Sequence, residues 1–168
     1  AASSNKGKGA ERDLCKILSG IFGGSFIRAD ASGAYVGGRN AWRMKHLSEG
    51  QIKSRRGDVI PPDELPKMLI ESKFYKDFRF HHLLSGATRN ALLDEWIDQC
   101  LDIAKPDDVW MICFKVNRLG FFVAFPSRLA KGFDLGCHAV YKGKEEMVVT
   151  ELRYFFENNK EAITTMSA

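Results

Sequence analysis

The sequence predicts an α/β fold in which a mixed central β-sheet is flanked by helices. The first observation behind this is the order of periodic segments: helix, strands, helix, strands, helix. The second is composition, because 45% hydrophobic and 27% charged residues are typical of a globular domain. The third is length, because 168 residues suit one domain spanning 1–168. Such a domain can bury a core without disulfides or a structural metal.

The N-terminal half contains one predicted helix, three predicted strands and a long loop. Residues 5–9 are predicted to be a flexible lead-in, and apolar residues then recur at helical spacing from about 10 to 22. Gly23 and Gly24 are expected to end that helix. Residues 31–57 are rich in Gly, Arg and Lys, which predicts a basic flexible loop or a hairpin. Three short apolar segments predict strands: 25–29, 58–60 and 68–74.

The C-terminal half contains a second helix, two hairpins and a closing helix. An amphipathic pattern predicts a helix over residues 88–104. Residues 150–158 are predicted to be a helix with Thr150 as its N-cap, and the polar residues after it are expected to fray. Four apolar segments predict the two hairpins: 109–116 with 120–125, and 139–141 with 147–149.

The four cysteines form no C-x-x-C pair, and they are predicted to be buried, reduced thiols. The adjacent His81 and His82 would point to opposite sides of an extended segment. The pattern therefore does not favour a zinc site. The cysteines are Cys15, Cys100, Cys113 and Cys137.

Positive charge is concentrated near the N-terminus. Residues 1–56 hold 11 Lys and Arg against 4 Asp and Glu, whereas residues 57–168 hold 14 against 17. A basic third favours a polyanionic partner such as nucleic acid, although a solvated charged surface would give the same pattern. The sequence shows neither a long apolar run nor a secretory signal, which predicts a cytoplasmic protein.

Two acidic residues and a lysine occupy predicted strands of low solvent exposure. Glu71 and Lys73 flank Ser72, so both side chains project from one face of the strand. Asp58 opens a short apolar strand after Gly57, a residue that allows close approach of a ligand or another backbone. Charges in such places need partners, a metal or a function.

These residues fit hydrolysis of a phosphodiester. Carboxylates of Asp58 and Glu71 on neighbouring strands can hold Mg²⁺, with Mn²⁺ as a substitute. Lys73 can orient the attacking water beside that metal. Glu11 borders the apolar stripe of the first helix and is expected to face the sheet.

The pattern of Gly57-Asp58 followed by Glu71-Ser72-Lys73 resembles the PD-(D/E)xK nuclease superfamily. Within it, the chain looks most like archaeal-type Holliday junction resolvases and related phage nucleases. That likeness rests on the basic stretch from Lys6 to Arg12, and on Arg28 followed by the Ser32-Gly33 pair. It covers roughly residues 6–125, and it implies the host cytoplasm as the location if the protein is phage-encoded. The departures are a longer insertion before Asp58 and Gly57 where Pro is usual.

The resemblance implies a restriction-endonuclease-like core and a set of site residues. The implied catalytic residues are Glu11, Asp58, Glu71, Lys73 and Ser32. The implied metal ligands are Asp58, Glu71, the carbonyl of Ser72, and Glu11. Arg28 would lie near the scissile phosphate. Some members of the superfamily place a Gln near the metal, and Gln99 on the second predicted helix is the corresponding residue here, although an exposed helical Gln is commoner.

Basic residues are expected to bind DNA phosphates. Tyr35 and Trp42, which lie between these residues in the sequence, are expected to contact bases or sugars. The alternative is a flexible charged loop. The predicted DNA-binding residues are Lys6, Lys8, Arg12, Arg28, Arg39, Arg43, Lys45, Lys53, Arg55 and Arg56.

Three functions remain open from the sequence. The first is a structure-selective nuclease acting on branched DNA or four-way junctions. The second is a restriction- or repair-type nuclease acting on linear or nicked duplex. The third is a DNA-binding module without catalysis. The hairpin 109–125 also carries more apolar residues than one covered face needs, which favours a homodimer suited to a two-fold substrate.

Overall fold

A computed structural model describes residues 2–29, 57–86 and 88–168 of the chain. Apart from Gly57, the basic loop predicted at residues 31–57 lies outside these ranges. The described residues form one seven-stranded mixed sheet in the order β1-β2-β3-β4-β5-β7-β6. Its strands are β1 (Ile27–Arg28), β2 (Val59–Ile60), β3 (Met68–Tyr75), β4 (Val109–Val116), β5 (Gly120–Pro126), β6 (His138–Lys142) and β7 (Glu146–Glu151).

Helices lie on both faces of this sheet, which confirms the predicted α/β architecture. The α-helices within the described ranges are α1 (Ala2–Phe22), α2 (Ala91–Ile103), α3 (Leu152–Asn158) and α4 (Lys160–Ser167), with short 3-10 segments at Phe80–Leu84 and Ser127–Leu129. No helix in these ranges is both long and apolar enough to span a membrane.

The pairing of β3 with β4 is parallel, while the other neighbouring strands pair antiparallel. Parallel strands need a crossover connection, and α2 supplies it between β3 and β4. Asn90 caps this helix, because its side-chain oxygen accepts a hydrogen bond from Leu93 N at 2.9 Å. The crossover places α2 against the strand that carries Glu71 and Lys73.

Two hydrophobic clusters cover the two faces of the sheet. The first contains Leu14 and Leu18 of α1 together with Phe155 of α3. The second contains Trp96 and Ile97 of α2. Side chains of β3 alternate between them, since Met68 and Ile70 belong to the first cluster and Leu69 to the second. By the same alternation, Glu71 and Lys73 share the side of Leu69 and face α2.

The apolar residues of the β4–β5 hairpin are covered within one chain. Met111 and Phe125 lie in the first cluster and Phe114 lies in the second. Phe121 packs against the first cluster and Phe122 against the second. Because both faces of the hairpin are covered, its apolar content does not by itself require a second subunit.

The first helix is longer than its periodicity predicts. It begins at Ala2 instead of about residue 10, so the expected flexible lead-in at 5–9 is helical. Each residue added to a nucleated helix gains a hydrogen bond, so a packed downstream half can extend it through weak helix formers. Leu14 and Leu18, both fully buried, provide that anchor. The predicted end is confirmed, since α1 ends before Gly23, which has a φ of 74°.

Thr150 does not cap α3, contrary to the prediction. It belongs to β7, where it pairs with Val123 of β5, and α3 begins at Leu152. The Thr150 hydroxyl is buried, 2.7 Å from the carbonyl of Leu135 and 3.0 Å from that of Cys137. Pairing with β5 extends β7 through Thr150. The Thr150 hydroxyl hydrogen-bonds to the loop before β6.

The C-terminal residues are ordered, contrary to the predicted fraying. They form α4, whose Ile163 is fully buried in the first cluster. Among the cysteines, Cys15, Cys100 and Cys113 are buried and free, as predicted. Cys137 is free but exposed. It lies in the loop before β6, outside the apolar periodic segments that contain the other three.

Replacing Ile163 with Ala should lower the free energy of unfolding by about 2–5 kcal/mol, because it opens a cavity in a closed core. Urea denaturation followed by circular dichroism measures this. The matched control is Thr165→Ala on the exposed side of the same helix, which should change stability by less than about 0.5 kcal/mol. Equal effects of the two variants would contradict the packing of α4 described above.

Candidate active site

The pairing of β2 with β3 brings the carboxylates of Asp58 and Glu71 together. Val59 pairs with Ile70, and Asp58 N donates to Ile70 O at 2.9 Å. Ser72 N then donates to Asp58 Oδ2 at 2.8 Å. Asp58 is therefore fixed to the backbone of β3 on both sides of Glu71, at Ile70 and at Ser72.

Gly57 makes this approach possible, as the sequence leads one to expect. A Cβ at this position would lie 2.5 Å from the carbonyl oxygen of Ile70 and 3.2 Å from its carbonyl carbon. No side chain fits there without a shift of backbone. A glycine is required at position 57 because β3 lies so close to it. The position of Asp58, the next residue, depends on the same close approach.

The surroundings of Glu71 raise its pKa from the ordinary value of 4.5 to about 8, and burial is the largest cause. A hydrogen bond with Asp58 and the negative charge of Asp58 contribute to this rise, and Glu11 adds a smaller effect in the same direction. The positive charge of Lys73 opposes these effects. The two carboxylates thus lie close enough to compete for a proton, and without a cation the pair retains one near neutral pH.

Lys73 is held by a residue of α2. Its Nζ donates a hydrogen bond to Gln99 Oε1. An ammonium group has three donors, so two stay available for water or substrate. Gln99 therefore lies at the site, an arrangement that the sequence left open. The available signal was helical spacing, because Gln99 is adjacent to the buried Cys100 and three positions from the buried Trp96.

Glu11 lies near the two carboxylates but has its own partner. Its Oε2 accepts a hydrogen bond from Arg28 Nε at 2.8 Å, and both side chains are about one-quarter exposed. Arg28 pairs in register with Val59, whose side chain belongs to the cluster beneath α1. The structure thus places Glu11 and Arg28 together on the α1 side of the sheet, whereas Glu71 and Lys73 face α2.

The described residues offer a small set of donors for a metal. They contain no group of three or more His, Cys, Asp or Glu side chains arranged to hold a metal ion. Asp58 and Glu71 remain as two adjacent carboxylates. Mg²⁺ in proteins is commonly held by one or two carboxylates, with waters and substrate phosphate oxygens completing its coordination. The donor chemistry of this pair fits a hard divalent cation.

The remaining predicted site residues divide into two groups. Lys6, Lys8 and Arg12 are exposed side chains on α1. The others lie outside the described ranges, so the predictions made for them stay predictions. They are Ser32, Arg39, Arg43, Lys45, Lys53, Arg55 and Arg56.

Comparison with known proteins adds one finding to this geometry. A family model described as "Phage putative PDDEXK endonuclease" matches residues 2–165. The chain belongs to this family. Neither a search of curated proteins nor a search of solved structures finds a match.

Membership in the family confirms the resemblance to PD-(D/E)xK nucleases and indicates that the chain is a nuclease. The seven-stranded mixed sheet with helices on both faces is consistent with the restriction-endonuclease-like fold. The match spans nearly the whole chain, including the segment after residue 125 that the sequence resemblance did not cover. It does not single out Holliday junction resolvases.

Replacing Gly57 with Ala should destabilise the protein, because the new Cβ meets the backbone oxygen of Ile70. The matched control is Gly20→Ala on α1, where a Cβ would meet nothing within 4 Å. That change should stabilise the helix, by up to about 1 kcal/mol. Thermal unfolding of both variants measures the contrast. A Gly57→Ala variant as stable as wild type would contradict the close passage of β2 and β3.

The stability of the metal-free protein should depend on pH through Glu71. Its folded-state pKa, about 8, lies above the ordinary value of 4.5, so unfolding releases a proton between these values. The contribution of Glu71 to the free energy of unfolding therefore falls as pH rises from 4.5 towards 8.

Urea denaturation in EDTA across this range measures that dependence. The decline should be shallower in Glu71→Gln, which cannot lose a proton. Glu64→Gln, an exposed carboxylate outside the site, should retain the wild-type slope. Parallel curves for wild type and Glu71→Gln would contradict the burial of this carboxyl group against Asp58.

Proposed function

We propose that the chain is a divalent-metal-dependent DNA endonuclease, and that Asp58, Glu71 and Lys73 form its catalytic centre. The observation that carries this proposal is the fixed pair of carboxylates beside Lys73. Burial and the neighbouring Asp58 raise the pKa of Glu71, because two adjacent, partly buried carboxylates are unfavourable when both are ionised. A bound cation would offset the repulsion between the carboxylates of Asp58 and Glu71. Cation binding therefore accounts for an arrangement that is otherwise unfavourable.

Each residue of the site would have a separate role in phosphodiester hydrolysis. The carboxylates of Asp58 and Glu71, with the carbonyl of Ser72, would hold one or two Mg²⁺ ions, for which Mn²⁺ could substitute. A bound metal of this kind stabilises charge that builds on a phosphoryl oxygen. Lys73, oriented by Gln99, would position the water that attacks phosphorus. Glu11 would lie close to these carboxylates, where it is held by its ion pair with Arg28.

The proposed substrate is DNA, and among DNA structures a branched one such as a four-way junction. The exposed Lys6, Lys8 and Arg12 on α1 support a polyanionic substrate, since phosphate contacts are commonly made by Lys and Arg. A homodimer would suit the two-fold symmetry of a junction, and we include it in the proposal. Linear or nicked duplex is the alternative substrate for the same chemistry.

The experiment that tests this proposal is cleavage of labelled four-way junction, nicked duplex and linear duplex, each with Mg²⁺ or EDTA. Wild type should cut only with the metal, and Asp58→Asn should lose at least about a hundredfold in rate. Lys73→Met should show a loss of similar size. The matched control is Asp107→Asn, an exposed carboxylate in the loop before β4, which should cut like wild type.

Each outcome decides between the candidate functions. Paired cuts confined to the junction support the branched substrate, whereas cutting of all three substrates supports a less selective nuclease. DNA binding without any metal-dependent cutting overturns the proposal and favours a binding module. In that case Mg²⁺ binding measured by calorimetry should be absent, and Glu71→Ala should change nothing.

A further inference from the structure

A cavity of about 250 Å³ opens between the start of α2 and the end of β3, the strand that carries Glu71 and Lys73. Tyr75, Phe78 and Leu92 supply its apolar wall, while Asp77, Arg79 and His82 supply polar groups. None of these residues takes part in the chemistry proposed above. Its volume is below that of cavities holding drug-sized ligands, which suits a fragment such as one planar base.

The cavity is aligned with the catalytic residues along one strand. Tyr75 follows Lys73 by two positions on β3, so both side chains project from the face that packs against α2. Two strand residues span about 7 Å. A nucleotide whose phosphate lies near Lys73 could therefore place a neighbouring base at Tyr75.

Tyr75 presents an aromatic ring that is both held and accessible. The residue is 43% exposed, and its ring makes an edge-to-face contact with Trp96, with the centroids 6.1 Å apart. Trp96 is buried and stacks on Phe78 at 5.9 Å. An exposed aromatic ring held in contact with a buried Trp is a suitable platform for a nucleobase, because stacking on a ring that is already held loses little entropy.

Arg79 provides a cation at the same cavity. It is exposed and makes no ion pair with any residue in the described ranges. A guanidinium group matches the geometry of a phosphate. Asp77 would repel a phosphate but can accept a hydrogen bond from an N–H group of an unpaired base, such as N3–H of thymine. The polar groups thus complement both parts of a nucleotide.

We propose that this cavity binds one unpaired nucleobase of the DNA substrate by stacking on Tyr75, with Arg79 on an adjacent phosphate. The proposal rests on the nuclease function proposed above. A base inside a duplex exposes only its edges, because its faces are stacked. Only an unpaired base offers a face to Tyr75, so the cavity would select DNA with unpaired nucleotides near the cut.

The test is binding of a labelled short oligothymidylate to the full chain in EDTA, measured by fluorescence anisotropy, with a duplex of equal length for comparison. Tyr75→Ala should weaken single-strand binding roughly tenfold relative to duplex binding. Tyr75→Phe keeps the ring and should bind like wild type. The matched control is Tyr154→Ala, which removes a similarly exposed ring from α3 on the other face of the sheet.

A second variant keeps the test decisive if loss of the Trp96 contact unfolds Tyr75→Ala. Arg79→Ala removes an exposed side chain and should also weaken single-strand binding, whereas Arg128→Ala, which removes an exposed arginine after β5, should not. Tyr75 and Arg79 variants that retain the wild-type ratio of single-strand to duplex affinity would overturn the proposal.

The result is independent of cleavage, because EDTA removes the metal that cleavage would need. Selective loss of single-strand binding in a chain that never cuts DNA would support the base subsite while refuting the nuclease function. Metal-dependent cutting by a chain whose Tyr75 and Arg79 variants bind normally would refute the subsite alone.

Discussion

The close pairing of β2 with β3 is the constraint on which the site depends. Gly57 lets the two backbones approach, and the hydrogen bond from Asp58 N to Ile70 O sets their register. The bond from Ser72 N to Asp58 Oδ2 then fixes the carboxylate itself. A strand of two residues could not hold an acidic side chain in place alone. It does so because β3 runs eight residues through the centre of the sheet, paired over its whole length with β4.

The electrostatic consequence of that pairing is a pair of carboxylates that resist joint ionisation. Burial and Asp58 together raise the pKa of Glu71, and Lys73 only partly compensates. Such a pair is unfavourable for a purely structural purpose, since two apolar residues could fill the same space at lower cost. The arrangement is favourable where a cation is to be bound, which is why membership in a nuclease family and the local electrostatics support the same proposal.

The two faces of the sheet contribute differently to the site. The face beneath α2 carries Glu71, Lys73 and Tyr75, and α2 adds Gln99 and the aromatic support of Trp96. The face beneath α1 carries the ion pair of Glu11 with Arg28. Because α2 is the crossover between the parallel strands β3 and β4, its position follows from the topology of the sheet. The parallel pair is thus the feature that brings a helix to the lysine.

The sequence by itself determined the order of elements, the mixed sheet and the grouping of Asp58, Glu71 and Lys73. These features depend on local periodicity and on strand alternation, which can be seen in the sequence itself. Segment ends were less predictable. The start of α1 and the strand state of Thr150 depend on packing of Leu14 and on pairing with β5, neither of which is local. Tertiary structure also decided that Glu11 pairs with Arg28, that Gln99 holds Lys73, and that Tyr75 borders a cavity. Each of these joins residues on different elements, so the distances between them exist only once the sheet and its helices have assembled.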